Sequence, residues 1–397
     1  MSKHILYISY DGLTDPLGQS QILPYLMGLN KQYGYTFSVI SAEKADNYQA
    51  KSQLIHDLIA GFGIHWQPIF YTKKPPVFST LWDLRKIWKK ATQIYKQKPY
   101  EIVHARSYLS ALIALRLKKK FKTKFIFDMR GFWADERIDG GLWNLKSPLY
   151  NKIYLYFKKK EKEFLQQADY TISLTHNAKQ EIQSWEGFAQ TPIQVIPCCV
   201  DLEIFKPSEN PISKSKNLTI SYLGSIGTWY LLKEMLLFYK NLLDKYPDAI
   251  FSFITAENPQ PILEEAKNLQ LPLTQIKIKK ANRNEVPLML AESHFSLFFI
   301  KDAYSKKASS ATKMAEILAM GIPIITNDIG DHQYLASKYN FGCLLQNLDI
   351  HSIQKAIEQI PDLLNISSES LIRIAQDYFS LEKGVESYAQ VYQKIST

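Results

Sequence analysis

Cysteine is scarce in this chain. Three occur in 397 residues, Cys198 beside Cys199 and Cys343 far from both, too few and too badly spaced for a disulfide framework or a cysteine-ligated zinc site. Long apolar runs are missing too: no window of about 18 uncharged apolar residues exists to span a bilayer. The sequence has no GxxxxGK[ST] loop, no GxGxxG after a strand, no GxSxG and no DxD triplet, so kinase, dehydrogenase and hydrolase chemistry find no anchor and no metal site is expected. The opening MSKHILYISYDG runs from one lysine directly into an apolar segment, without the apolar stretch and small-residue cleavage site of a signal peptide. The expected compartment is therefore the cytoplasm.

What is present is a basic half and an α/β rhythm. Residues 1–200 carry 28 Lys and Arg against 16 Asp and Glu, whereas 201–397 carry 20 against 22. The excess lies in runs interleaved with aromatics, at 82–96, 116–124 and 156–164. Such a face suits anionic lipid headgroups or a solvated helix surface, and three runs in one half favour a peripheral position at the inner membrane face. Short segments rich in β-branched and aromatic residues alternate with helical stretches: 4–10, 36–42, 101–107, 124–130, 170–175 and 193–197, then 218–224, 249–255, 274–280, 295–300 and 322–327. This is the pattern of βαβ units around parallel sheets. The stretch 197–217, dense in Pro, Ser and Lys, reads as a linker. Two lobes are expected, 1–204 and 205–379, with a helical tail at 380–397 crossing back to the first.

The segment SSATKMAEILAMGIPIITND, 309–328, has the most chemical content. Serine is a good helix N-cap, and Ser309, Ser310 and Thr312 place hydroxyls where a helix should begin. Unpaired N–H groups at that end attract phosphate, and Lys313 adds a full charge. Glu316 follows on the same helix face, where a carboxylate accepts two hydrogen bonds from a ribose diol. In the first lobe, His104, Arg106, Asp128 and Arg130 fall at or near the ends of predicted strands, where open α/β sheets present ligands. His104 titrates in the range of a general base but fits a core histidine as well. Asp135 and Glu136 lie close enough in sequence to pair with the arginines or to bind hydroxyls.

Five motifs, in order, resemble the retaining glycosyltransferases of family 4: HILYISYDGLTDPLGQSQILPYLMGL at 4–29, ADYTISLTHNAKQEI at 168–182, VIPCCVDLEIFKP at 195–207, SYLGSIGTWYLLKEML at 221–236 and EILAMGIPIITNDIGD at 316–331. The resemblance implies a GT-B fold, two Rossmann-like lobes facing across a cleft. It also implies metal-independent transfer of a hexosyl group from a UDP- or GDP-sugar to a hydroxyl of a glycan or lipid-linked acceptor, in cell-surface polysaccharide or glycolipid assembly, without a cofactor. Glu316 matches the family's ribose glutamate, Gly224 and Ser225 the turn facing the donor diphosphate, and Gly18 the glycine loop that approaches the sugar and phosphates. Three positions depart from the pattern. Ala308 stands where a second glutamate is common; the turn from Gly224 to Trp229 lacks the usual cations, leaving Lys313 as their replacement; and Arg130 aligns with a histidine. Arginine stays protonated, so Arg130 would clamp a phosphate or acceptor oxygen. These departures leave two alternatives: a sugar-nucleotide epimerase of the same architecture, and a non-catalytic glycan- or polyanion-binding protein.

Overall fold

The computed structural model describes residues 4–208 and 215–396; residues 209–214 of the expected linker lie outside this range. The chain forms two compact units, Met1–Pro197 with Leu381–Thr397, and Cys198–Ser380.

In the first unit, β1 (His4–Ser9), β2 (Thr36–Glu43), β3 (Ile64–Trp66), β4 (Ile69–Phe70), β5 (Ile102–Arg106), β6 (Lys124–Asp128), β7 (Tyr170–Ser173) and β8 (Ile193–Val195) form one sheet. Its order is β3-β2-β1-β5-β6-β7-β8, with β4 also on β2, and every pairing is parallel. Helices cover both faces of such a sheet, which is why its central strands are apolar along their length instead of alternating. The second unit carries β9 (Thr219–Leu223), β10 (Ile250–Ile254), β11 (Ile276–Lys279), β12 (Phe295–Phe298), β13 (Ile324–Asn327) and β14 (Gly342–Leu345). Their order is β11-β10-β9-β12-β13-β14, again parallel throughout. All eleven anticipated segments contain a strand. The three unanticipated ones are short or only half-buried edge strands, where hydrophobic periodicity has no length in which to register.

The tail forms the Leu381–Ser396 helix and packs on the Leu23–Tyr33 helix of the first unit. Gly28 permits this approach, because a Cβ there would lie 2.6 Å from Val385 Cγ2. The helix brings Tyr388 and Tyr392, both buried, down onto the sheet.

Gly18 does not sit in a loop. It lies inside the Pro16–Gln21 helix, and a Cβ on it would meet the Gly12 carbonyl oxygen at 2.2 Å and Leu13 Cα at 2.6 Å. The space freed by its missing side chain is therefore filled by the chain itself. Glu43, fully buried at the end of β2, holds the same loop by accepting from the Leu13 and Thr14 amides at 2.7 and 3.1 Å. Gly18→Ala is expected to destabilise the protein by about 1–3 kcal/mol through overpacking, read in a denaturant titration; unchanged stability would show that the loop yields freely.

Candidate functional site

In the second unit the strand order reverses between β9 and β12, so the crevice at their carboxyl ends is where an open parallel sheet offers a ligand site. Two segments converge there. One is the turn after β9, which begins at Gly224 with φ +109° and is pinned by Leu231 N donating to Phe299 O at 3.0 Å. The other follows β12 through a 3-10 turn, Tyr304–Ala308, into the Thr312–Ala319 helix.

Lys313 joins the two. Its side chain is buried, and Nζ donates to the Tyr222 hydroxyl at 3.1 Å while lying 3.4 Å from the Tyr230 ring centre and 4.1 Å from that of Tyr222. The Tyr222 hydroxyl in turn donates to the Ser225 carbonyl. A Cβ on Gly224 would come within 3.1 Å of Nζ, so the glycine is what leaves the amine uncovered on that side. Burial drives the Lys313 pKa well below its ordinary value, with Glu316 pulling weakly the other way. Aromatic faces attract an ammonium, but they do not repay its lost hydration as a phosphate would.

Glu316, three residues on and also buried, accepts from Arg283 Nη1 at 3.0 Å through one carboxylate oxygen. Burial raises its pKa, and the Arg283 charge and hydrogen bond oppose that rise. Arg283 itself rests 5.1 Å from the Phe205 ring centre. Nothing in the local pattern around 283 announces this partner, which comes from the loop after β11. Lys306, buried and 3.5 Å from the Trp229 ring centre, is a second cation beside the same turn that sequence inspection did not single out.

The helix start differs from the serine-capped form. The N-cap is Ala311, and no side chain caps the first turn. Ser310 Oγ instead accepts from the Cys198 amide at 3.1 Å, so its hydroxyl is spent on backbone. Thr312 occupies the first helical position and is partly exposed.

The residues expected in the first unit gather around one buried carboxylate. Asp128 Oδ2 lies 3.3 Å from His104 Nε2, 3.2 Å from the Tyr388 hydroxyl and 3.9 Å from Arg106 Nη1, and Asp128 Oδ1 lies 3.9 Å from Arg130 Nη1. The other His104 ring nitrogen is 2.7 Å from the Tyr392 hydroxyl. His104 is thus a buried tie between sheet and tail helix, and burial lowers its pKa despite the Asp128 contact. Burial would raise the Asp128 pKa, but Arg130, the His104 hydrogen bond and Arg106 outweigh it and hold the carboxyl below its ordinary value. Arg106 Nε and Nη1 are buried without a hydrogen-bond acceptor, Nε lying 3.5 Å from Asp11 Oδ2. Arg130 has φ +59° ahead of Gly131 at +134°, a left-handed turn that sets its side chain back toward Asp128. Asp135 does not join the arginines: it binds the Tyr154 hydroxyl at 2.9 Å and Lys158 Nζ at 2.7 Å. Among the described residues no group of three or more His, Cys, Asp or Glu is placed to hold a metal ion.

Residues 28–204 match the family model described as Glycosyltransferase Family 4. No curated protein matches the sequence significantly. Among solved structures, sucrose-phosphate synthase from Thermosynechococcus elongatus is 14% identical with a TM-score of 0.71, over 99% of this chain and 98% of that one. Anabaena HepE in complex with UDP and glucose is 14% identical with a TM-score of 0.68, over 98% and 99%. The lipopolysaccharide outer core galactosyltransferase WaaB is 13% identical with a TM-score of 0.65, again over 98% and 99%. At such identity the likeness establishes the fold, GT-B, with two Rossmann-like α/β units.

Proposed function

We infer that this chain, whose residues 28–204 match the Glycosyltransferase Family 4 model and whose fold is GT-B, is a retaining hexosyltransferase using a nucleoside diphosphate sugar. Sugar transfer in general is what the family match supports; the donor, acceptor and stereochemistry are our own reading. The structure of HepE holds UDP and glucose, and that class of donor is the one we assign here.

One observation carries the reading: a buried lysine amine lies under the Gly224 turn, at the carboxyl ends of the central strands, where its burial outweighs the pull of Glu316 and would be repaid by a further anion. A diphosphate lying along Gly224 and Ser225, with the uncapped amides near Thr312 facing it, supplies that anion. Glu316 keeps one carboxylate oxygen for a ribose hydroxyl and gains the second if Arg283 turns aside. As the bond between the anomeric carbon and the diphosphate breaks, negative charge grows on the leaving oxygen. The ammonium and amides stabilise it there without rearranging. The acceptor hydroxyl then bonds to the anomeric carbon from the same face and passes its proton to the departing diphosphate oxygen, which lies on that face. Arg106 and Arg130, held by Asp128, are assigned to an anionic or hydroxyl group of a glycan or lipid-linked acceptor, in cell-surface polysaccharide or glycolipid assembly. His104 receives no proton-transfer role, since both ring nitrogens are engaged inside the fold.

Glu316→Ala should weaken UDP binding by about 1–3 kcal/mol. With UDP lacking its ribose 2′-hydroxyl, the same substitution should cost much less. Equal losses with both nucleotides, measured by calorimetric titration, would remove Glu316 from the ribose.

A further inference from the structure

The first unit carries an outer layer of three helices, Phe78–Gln97, Ser107–Phe121 and Pro148–Gln167, the middle one packed against both others. All three basic runs of the sequence fall on this layer, and the structure sorts them. The run at 116–124 is largely consumed internally. Lys118 and Lys124 meet Asp169, Lys119 meets Glu163, and Arg116 and Lys120 lie over the Trp88 ring. The first helix is different. Its exposed face reads Phe78, Leu81, Trp82, Arg85, Lys89 and Lys96. Three large apolar side chains occupy its first turns, at 71%, 58% and 57% exposure, and cations follow along the same face. Phe70 and Tyr71 just before it are also exposed, and Lys73 and Lys74 lie between. The helix has a single carboxylate, Asp83, fully buried and bound to the Tyr10 hydroxyl, the Thr72 amide and Lys86. The exposed face of that helix therefore carries no carboxylate.

The third helix repeats the arrangement. Leu149, Leu155 and Tyr156 are exposed with Lys152, Lys159 and Lys162 on the same side, while Glu161 is buried against Tyr108 and Lys158, and Glu163 is taken by Lys119 and Lys160. In a parallel sheet each crossover helix departs from the carboxyl end of one strand and returns to the amino end of the next, so the first turns of both helices lie at one edge of the layer. Single exposed apolar residues are ordinary; a clustered set ringed by unpaired cations is not.

We propose that this helical layer is a docking surface for an anionic lipid bilayer. Phe78, Leu81 and Trp82 enter the boundary between headgroups and acyl chains, and Lys73, Lys74, Arg85 and Lys89 rest on the phosphates, with the Leu149–Tyr156 side as a second foot. A bilayer meets both halves of the pattern: insertable apolar side chains gain from leaving water, and each nearby cation gains about 1 kcal/mol from the surface potential. A polyanion in solution would use the cations and leave the apolar tip in water. The proposal is independent of the donor site, so its failure leaves the nucleotide reading intact.

The experiment is co-sedimentation of the full chain with phosphatidylcholine vesicles, with and without phosphatidylglycerol, across a salt series. The protein should pellet with the anionic vesicles alone and be released as salt rises. The triple variant Phe78→Ser, Leu81→Ser, Trp82→Ser should partition about tenfold more weakly. The pair Arg85→Glu and Lys89→Glu should flatten the salt dependence. Tryptophan emission should shift to the blue on anionic vesicles, and lose that shift in Trp82→Phe. Because the altered side chains are exposed, thermal unfolding and UDP affinity of the variants should match the parent, which separates lost docking from lost folding. Equal partitioning of the triple variant, equal pelleting with neutral vesicles, or no pelleting at all would overturn the proposal. So would self-association in light scattering that the triple variant abolishes, since that result assigns the tip to a second copy of the chain.

Discussion

Lys313→Met should make the unliganded protein more stable and at the same time take away about 2–5 kcal/mol of UDP affinity, the loss expected when one member of a buried charged contact is deleted. The two effects share one cause. In the free protein the Lys313 amine has Tyr222, Tyr230 and Glu316 for company, and burial holds its pKa well below 10.5. Between that depressed value and 10.5 the unfolded chain holds a proton that the folded chain has surrendered. This lysine therefore opposes folding in that window, and its cost shrinks as pH rises toward 10.5. A methionine of similar length fills the space without a charge to desolvate. Thermal unfolding and calorimetry on the same variant check both signs. A variant that loses stability along with affinity would make Lys313 a packing residue.

Asp128→Ala should cost the first unit about 3–5 kcal/mol, since it leaves two inward-facing guanidinium groups without their common carboxylate. The loss should be read as a lower denaturant midpoint. Asp128→Asn tests charge against hydrogen bonding, because the amide can still meet His104 and Tyr388 but cannot balance Arg106 and Arg130. The pH dependence of the parent has a definite sign. Asp128 is held below its ordinary 3.8 and His104 below its ordinary 6.5. Both groups therefore lend stability at neutral pH that is withdrawn on acidification, His104 from about 6.5 downward and Asp128 below 3.8. In Asp128→Ala the acid part of that dependence should flatten. A parent curve that gains stability as pH drops from 6.5 would contradict the placement of His104 as a buried neutral ring.

The sequence made much of the frame visible because a buried parallel strand writes its character into consecutive residues. ISYLG, FSFIT and IPIITN need no partner to be recognised, and the helix from Thr312 shows Lys313 and Glu316 one turn apart. What stayed hidden is what depends on distant chain. The contact of His104 with Tyr392 spans 288 positions, and the pairing of Glu316 with Arg283 spans 33. Neither leaves a trace in local periodicity. The tyrosines around Lys313 arrive from β9 and the turn after it, where they look like ordinary core aromatics. Ser310 looked like a cap, but a serine before a helix has more than one backbone amide in reach, and here it takes that of Cys198. Gly18 is required for a reason different from ligand approach: the Gly12 carbonyl occupies the place its side chain would need.

Calorimetric titration of the protein with UDP at a series of pH values up to 10.5, in two buffers of unequal ionisation enthalpy at each, tests the central claim most directly. If a diphosphate settles against Lys313 and restores its charge, binding takes up protons: the apparent enthalpy differs between buffers, and the difference vanishes in Lys313→Met. UDP binding with the same enthalpy in both buffers would contradict the account.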